Sequence, residues 1–304
     1  MLTVKDLSIS FTQYEKGMRQ KNMKVISNLN ITIKPGKILA IVGSSGSGKS
    51  LLAHAILGIL PQNATVTGSM KYMGEELTQK LQNKLRGNEI TLIPQSVNYL
   101  DPLMKVGAQV RSSRNKAALE KQRTVFNRYS LHSEVVSLFP FQLSGGMARR
   151  VLVASAVVGG AKLIIADEPT PGLHRDVAKE TLGHLRELAD GGCGVMLITH
   201  DIGTAVNVAD DIAVFYAGTT IEVAPVSDFA GKGELLRHPY TKALWNALPQ
   251  NEFTAITGFQ PSHSKTHGGC LFHPRCTQKS RDCLEKQPEM RELRHGRVRC
   301  NNAT

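Results

Sequence analysis

The chain has 304 residues, 41% of them hydrophobic and 20% charged, and carries a formal net charge of +12. This is the usage of a folded globular protein with room for one large core or two modest ones, and its longest apolar stretch, residues 151–166, is broken by Gly159, Gly160 and Lys162, which excludes a membrane span. The basic charge suits a polyanionic partner such as nucleotide, nucleic acid or an anionic membrane surface, but the Arg and Lys residues after Pro261 are interleaved with acids and cysteines, so no specific nucleic-acid partner is expected.

In chain order, the start "MLTVKDLSISF" has no charged region followed by an apolar run, so the expected compartment is cytosolic and disulfides are not expected. Alternating apolar residues from Val4 to Phe11, and again at Ile31 and Ile33, predict strands, with "KPG" at 34–36 as a turn. "KILAIVG", 37–43, predicts a buried strand, and "KSLLAHAILGIL", 49–60, a helix that stops at Pro61. From about Leu77 to Leu138 the chain reads as polar and helix-prone with few strand signals, whereas "KLIIADEP", 162–169, and "GVMLITH", 194–200, are buried-strand runs. No internal repeat or low-complexity segment is present.

Between the first buried strand and the helix lies "GSSGSGKS", Gly43 to Ser50, which fits G-x4-G-K-[ST] in the strand-loop-helix context that a phosphate loop requires. Glycines let backbone N–H groups curl around phosphates, and the helix N-terminus adds its dipole. Lys49 would neutralise phosphate charge and the Ser50 hydroxyl would ligate Mg²⁺; a Gly/Ser-rich turn of no function would need neither. "LIIADE", 163–168, brings Asp167 towards the Mg²⁺ and Glu168 towards a water facing the terminal phosphate. A Gly-Gly pair opening a helix, as in "LSGGM" at 143–147, offers bare N–H groups to an anion. His200 ends an apolar strand, from where it could hydrogen-bond a phosphate and hold a water.

Taken in order, "GSSGSGKS", "IPQ" ending at Gln95, "LSGGM", "LIIADEPT" and "LITHD" resemble the motifs of ATP-binding-cassette ATPases over about residues 1–230. The resemblance implies an α/β fold: a RecA-like phosphate-loop core, an N-terminal antiparallel β subdomain and a helical subdomain at about 85–150, followed by a short Cys-containing extension at 231–304. It implies ATP held by Gly43, Ser44, Ser45, Gly46, Ser47, Gly48, Lys49, Ser50 and Leu51, Mg²⁺ held by Ser50, Gln95 and Asp167, and catalysis by Glu168, His200 and Gln95. Such cassettes work in pairs, so Ser144, Gly145 and Gly146 should complete the nucleotide site of another chain. Phe11 and Tyr14 are candidates to stack on adenine, with the insertion-like "EKGMRQKNM" blurring the alignment there.

The chain departs from the pattern after "DEPT", where a loop usually ending in Asp ends in His174; this fits an asymmetric pair with a different ATPase subunit. "ARR" at 148–150 replaces a common Arg-Gln-Arg pattern, while Glu168 is intact, so a competent hydrolytic site is expected. "IPQSVNYLDPLMKVG" at 93–107, "ADDIAVFYAG" at 209–218, "HPYTKALWNALP" at 238–249 and "GCLFHPRC" with two later cysteines resemble the oligopeptide, dipeptide and nickel importer ATPases. The tail spacing, C-x5-C-x6-C-x16-C over Cys270, Cys276, Cys283 and Cys300, points to metal in a cytosolic protein. It is wider than the usual zinc pairs, and by resemblance a [4Fe-4S] cluster is favoured with zinc as the alternative. Cys193 reads as a bystander.

The expected function is therefore an ATP-hydrolysing subunit of an oligopeptide or dipeptide importer at the cytoplasmic face of the membrane. The implied partners are two permeases, a second ATPase and an extracytoplasmic binding protein. A nickel or metal-chelate importer shares these motifs. A soluble cassette ATPase of DNA repair or translation is the rival from another class, and it would lack the "HPYTKAL" segment.

Overall fold

The computed structural model describes residues 1–14, 19–111, 113, 115–261 and 268–304. The chain opens with β1 (Leu2–Tyr14) and β2 (Gln20–Ile33), a long antiparallel pair that sets Leu2 opposite Ile33 and Tyr14 opposite Gln20. After the turn at Gly36, whose φ of 71° suits glycine, come β3 (Ile38–Gly43) and α1 (Lys49–Leu57). β4 (Ala64–Tyr72) and the short β5 (Glu75–Glu76) complete a sheet ordered β2-β1-β4-β5, the expected antiparallel subdomain.

α2 (Gln79–Leu85) leads to β6 (Ile90–Ile93), and the helical region then runs through α3 (Val106–Val110), α4 (Lys116–Arg128) and α5 (Gly145–Val157). β7 (Leu163–Asp167), α6 (Arg175–Asp190), β8 (Gly194–Thr199), α7 (Ile202–Val206), β9 (Asp211–Tyr216) and β10 (Thr219–Pro225) follow. The C-terminal part holds α8 (Pro239–Asn246), α9 (Asp282–Glu285) and the hairpin of β11 (Arg291–Leu293) and β12 (Gly296–Val298). The second sheet is ordered β11-β12-β10-β9-β3-β8-β7-β6. Its strands from β9 to β6 are parallel, while β10, β12 and β11 continue it antiparallel.

Both faces of this sheet are covered, which explains the continuous apolar runs. Ile38, Ala40 and Val42 of β3 join the core under α5, α6 and α7, whereas Leu39 and Ile41 join the core shared with α1 and the N-terminal sheet. Alternation along one strand thus feeds two cores.

One expectation is corrected. The first helix ends at Leu57, short of Pro61, because Gly58 takes φ 65° and the N–H groups of Gly58 and Ile59 bond back to Ala55 O and His54 O. A side chain at Gly58 would also meet Gln82 at 2.5 Å. The region from Leu77 to Leu138, expected to hold few strands, holds one among the described residues, β6, the edge of the main sheet beside β7. Four residues with polar flanks give too little alternation to stand out. Among the described residues no helix is long and apolar enough to cross a membrane.

Candidate functional site

Parallel β3, β7 and β8 end along one edge, with Val42 paired to Thr199 and Asp167 to Ile198, so the loops after them converge. In the first of these, Gly46 and Gly48 sit at φ 77° and 92°, a region that side chains avoid, and Gly48 caps the N-terminus of α1. Gly43 has no room for a side chain: a Cβ would lie 2.6 Å from Phe215 O. Lys49, a residue only 6% exposed, donates its ammonium to Gly43 O at 2.8 Å and Ser44 O at 3.0 Å. Burial pulls its pKa down, opposed by the nearby Glu168 and Asp167 carboxylates. A buried cation inside a loop of N–H donors is matched to a polyanion.

At the end of β7, burial raises the Asp167 pKa, opposed by a hydrogen bond from Ser50. Asp167 Oδ1 is buried without a hydrogen-bond partner. An orphaned carboxylate oxygen beside a serine hydroxyl is an oxygen-donor pair suited to a hard cation such as Mg²⁺. Glu168 follows at φ 46°, a left-handed conformation that a non-glycine residue adopts at a cost. Its N–H bonds Ile198 O at 2.9 Å, and its carboxylate meets His200 Nδ1 at 2.9 and 3.0 Å. This direct pairing of the two strand-end residues was not readable from their separation of 32 positions.

A cleft of about 330 Å³ is lined by Val25, Ser45, Gly46, Gly48, Lys49, Ser50, Leu51, Gln95 and Glu168. Gln95 reaches it because the buried Arg149 of α5 donates to Pro94 O and Gln95 O, both at 2.7 Å, tying this loop to the helical region. Burial lowers the pKa of Arg149. Of the remaining loop residues, Ser44 is exposed, Ser47 is buried with its hydroxyl unpartnered, and neither lines the cleft.

Neither aromatic candidate lines the cleft. Phe11 packs partly buried against the core of the N-terminal sheet, and the exposed Tyr14 accepts a hydrogen bond from Gln20. The residue of β2 that does reach the cleft is Val25. A mid-strand valine carries no signal of its own; only the fold lays it against the loop. Part of the insertion-like stretch, residues 15–18, lies outside the described residues.

Ser144 caps α5, accepting from Met147 N at 3.2 Å, and Gly145 and Gly146 open the helix with no atom crowding a Cβ at Gly145. None of the three lines the cleft. His174, at the N-terminus of α6, is exposed and stands 3.6 Å from Asp176.

The extension is held by buried charge. Arg237, 1% exposed at its side chain, pairs with Glu222 at 3.3 Å and Asp228 at 2.8 Å and donates to the backbone of Leu293 and Arg294. His238 caps α8, and burial pushes its pKa down to about 3. Cys270, Cys276, Cys283 and Cys300 are free thiols, with Cys270 N bonded to Cys283 O at 2.8 Å. Burial, reinforced by the other three thiols, pushes Cys300 up to about 11. Among the described residues no group of three or more His, Cys, Asp or Glu side chains is gathered as a metal site.

Residues 26–171 match the family model described as ABC transporter, and residues 221–283 match the one described as oligopeptide/dipeptide transporter, C-terminal region. The oligopeptide transport ATP-binding protein OppD of Salmonella typhimurium is 32% identical over 98% of this chain and 92% of its own length. The oligopeptide transport ATP-binding protein AppD of Bacillus subtilis is 31% identical over 93% of this chain and 92% of its own. Among solved structures, a dimeric bacterial ABC transporter cassette superposes with a TM-score of 0.64 at 24% identity, covering 74% of this chain and 99% of that one. With the phosphate loop, the carboxylate pair and the C-terminal region all in place, the chain belongs to the ATP-binding subunits of the oligopeptide/dipeptide ABC transporter family.

Proposed function

We propose that this chain is the ATP-hydrolysing subunit of an importer for oligopeptides or dipeptides, seated on the cytoplasmic face of a membrane. What carries the reading is one chain that combines Glu168 in the phosphate-loop cleft and Asp167 hydrogen-bonded by Ser50 with a C-terminal region of the oligopeptide/dipeptide type. Lys49 and the loop N–H groups would bind the ATP phosphates, and Ser50 and Asp167 would hold Mg²⁺, with Gln95 beside it. Glu168 would accept a proton from the attacking water. His200 Nδ1 lies 2.9 Å from that carboxylate, which would leave Nε2 to hydrogen-bond the terminal phosphate.

Ser144, Gly145 and Gly146 lie away from their own chain's cleft, which supports their use by a second cassette. The exposed Tyr99, Leu103 and Met104 beside Gln95 and Asp101 favour contact with a permease, so closure around ATP would be transmitted there. His174 supports pairing with a different ATPase, and an importer of this kind works with a binding protein outside the membrane.

The four extension cysteines suit a [4Fe-4S] cluster in kind and number, since all are free thiols. Held by these four residues, a cluster would crosslink a segment with little core of its own. The experiment is an anaerobic pull-down of the tagged chain from detergent-solubilised native membranes, with iron and zinc counted. Two permeases, a second ATPase and about four irons per chain are expected. Ribosomes, nucleic acid or no membrane partner would overturn the transport reading, and stoichiometric zinc the cluster.

A further inference from the structure

Residues 251–261 follow α8 and bring Gln260 to the phosphate loop. There the Ser44 hydroxyl donates to Gln260 Oε1 at 2.5 Å, a contact between residues 216 positions apart. The segment is fixed just before that point by Arg275, which lies between Cys270 and Cys276. Arg275 Nε donates to Thr257 O at 2.7 Å, Nη2 to Ile256 O at 3.2 Å and Nη1 to the Tyr216 hydroxyl at 3.3 Å. Gly258 turns at φ 76° against the Arg275 side chain. Tyr216 ends β9, whose preceding residue Phe215 pairs with Gly43. The extension therefore grips the first residues of the phosphate loop from two sides, through β9 and through Gln260.

We propose that Gln260 is a positioning residue for nucleotide binding, and that this segment links the cysteine-bearing extension to the ATP site. The inference rests on the ATP-site reading above. Ser44 O is one of the two carbonyls that hold the Lys49 ammonium. Fixing the Ser44 side chain from outside thus limits the freedom of the backbone that carries both Lys49's acceptor and the loop's phosphate-binding N–H groups. Gln260 does not line the cleft, so its effect is routed through Ser44. Pre-ordering a loop in its binding form raises affinity by reducing the ordering cost of the bound state.

The test is a double-mutant cycle on the full chain, read by titration with a fluorescent ATP analogue and Mg²⁺. Gln260→Met keeps the length of the side chain and removes the acceptor; Ser44→Ala removes the donor. Each single variant is expected to weaken nucleotide binding about three- to tenfold, and the double variant no more than the weaker single, because both delete one contact. Arg275→Met is expected to reproduce part of the loss while the Gln260→Met unfolding midpoint stays at that of the wild type. Additive losses, or unchanged affinity in Gln260→Met, would overturn the proposal. A wild-type chain that binds no nucleotide would instead overturn the ATP-site reading on which it rests.

Discussion

The phosphate loop and the C-terminal extension both hold polar groups beside the main sheet, but they do so in opposite ways. From Gly43 to Ser50 the positions are set by the backbone: two glycines at positive φ, a helix cap and a lysine folded onto carbonyls six and five residues before it. In the extension they are set by buried side chains that reach far along the chain. Arg237 binds Glu222, Asp228 and the hairpin turn, and Arg299 donates to Thr220 O, Pro288 O and Asn28 O. A site built from local backbone geometry can be read from a short string of residues. A module built from distant side-chain contacts cannot.

Breaking one region should leave the other standing, and the largest effect is expected at Arg237. Arg237→Met strands two buried carboxylates and is expected to destabilise the extension by about 3–5 kcal/mol, seen as a lower urea midpoint and early proteolysis beyond residue 230. ATP affinity should move no further than the few-fold that Gln260 carries. Lys49→Ala is the converse: MgATP affinity falls about a hundredfold, measured by equilibrium titration, with the urea midpoint of the extension unchanged. If either variant damaged both regions equally, the contrast would fail.

A pH experiment sharpens it. His238 has its pKa lowered from 6.5 to about 3, so the unfolded chain takes up a proton below pH 6.5 that the folded chain refuses. Its contribution is present in full above pH 6.5 and is lost as pH falls towards 3. Unfolding free energies from urea titrations between pH 7 and pH 4 should show an excess slope approaching about 1.4 kcal/mol per pH unit, absent in His238→Phe. The smallest effect is at the α5 cap, where Ser144→Ala is expected to cost about 1 kcal/mol in thermal unfolding.

Much of the phosphate-loop cleft was legible in the sequence because β3, β7 and β8 are apolar runs that end at Gly43, at Asp167 and just before His200, and their loops carry the chemistry within eight residues. What was not legible depends on packing. Val25 reaches the cleft from the middle of an ordinary strand. Glu168 and His200 meet only because β7 and β8 are neighbours. β6 is too short to show alternation, and Gly58 ends α1 through a backbone turn that an unbroken apolar pattern hides. Gln260 has no motif around it; only the path of the chain after α8 brings it to Ser44.

The measurement that bears most directly on the central claim is to count nucleotide bound and phosphate released by the assembled transporter carrying Glu168→Gln in this chain. The account predicts that this site binds MgATP as the wild type does and releases phosphate about a hundred- to ten-thousandfold more slowly. Release at the wild-type rate would contradict it, since the carboxylate at the end of β7 would then not be the group that activates water.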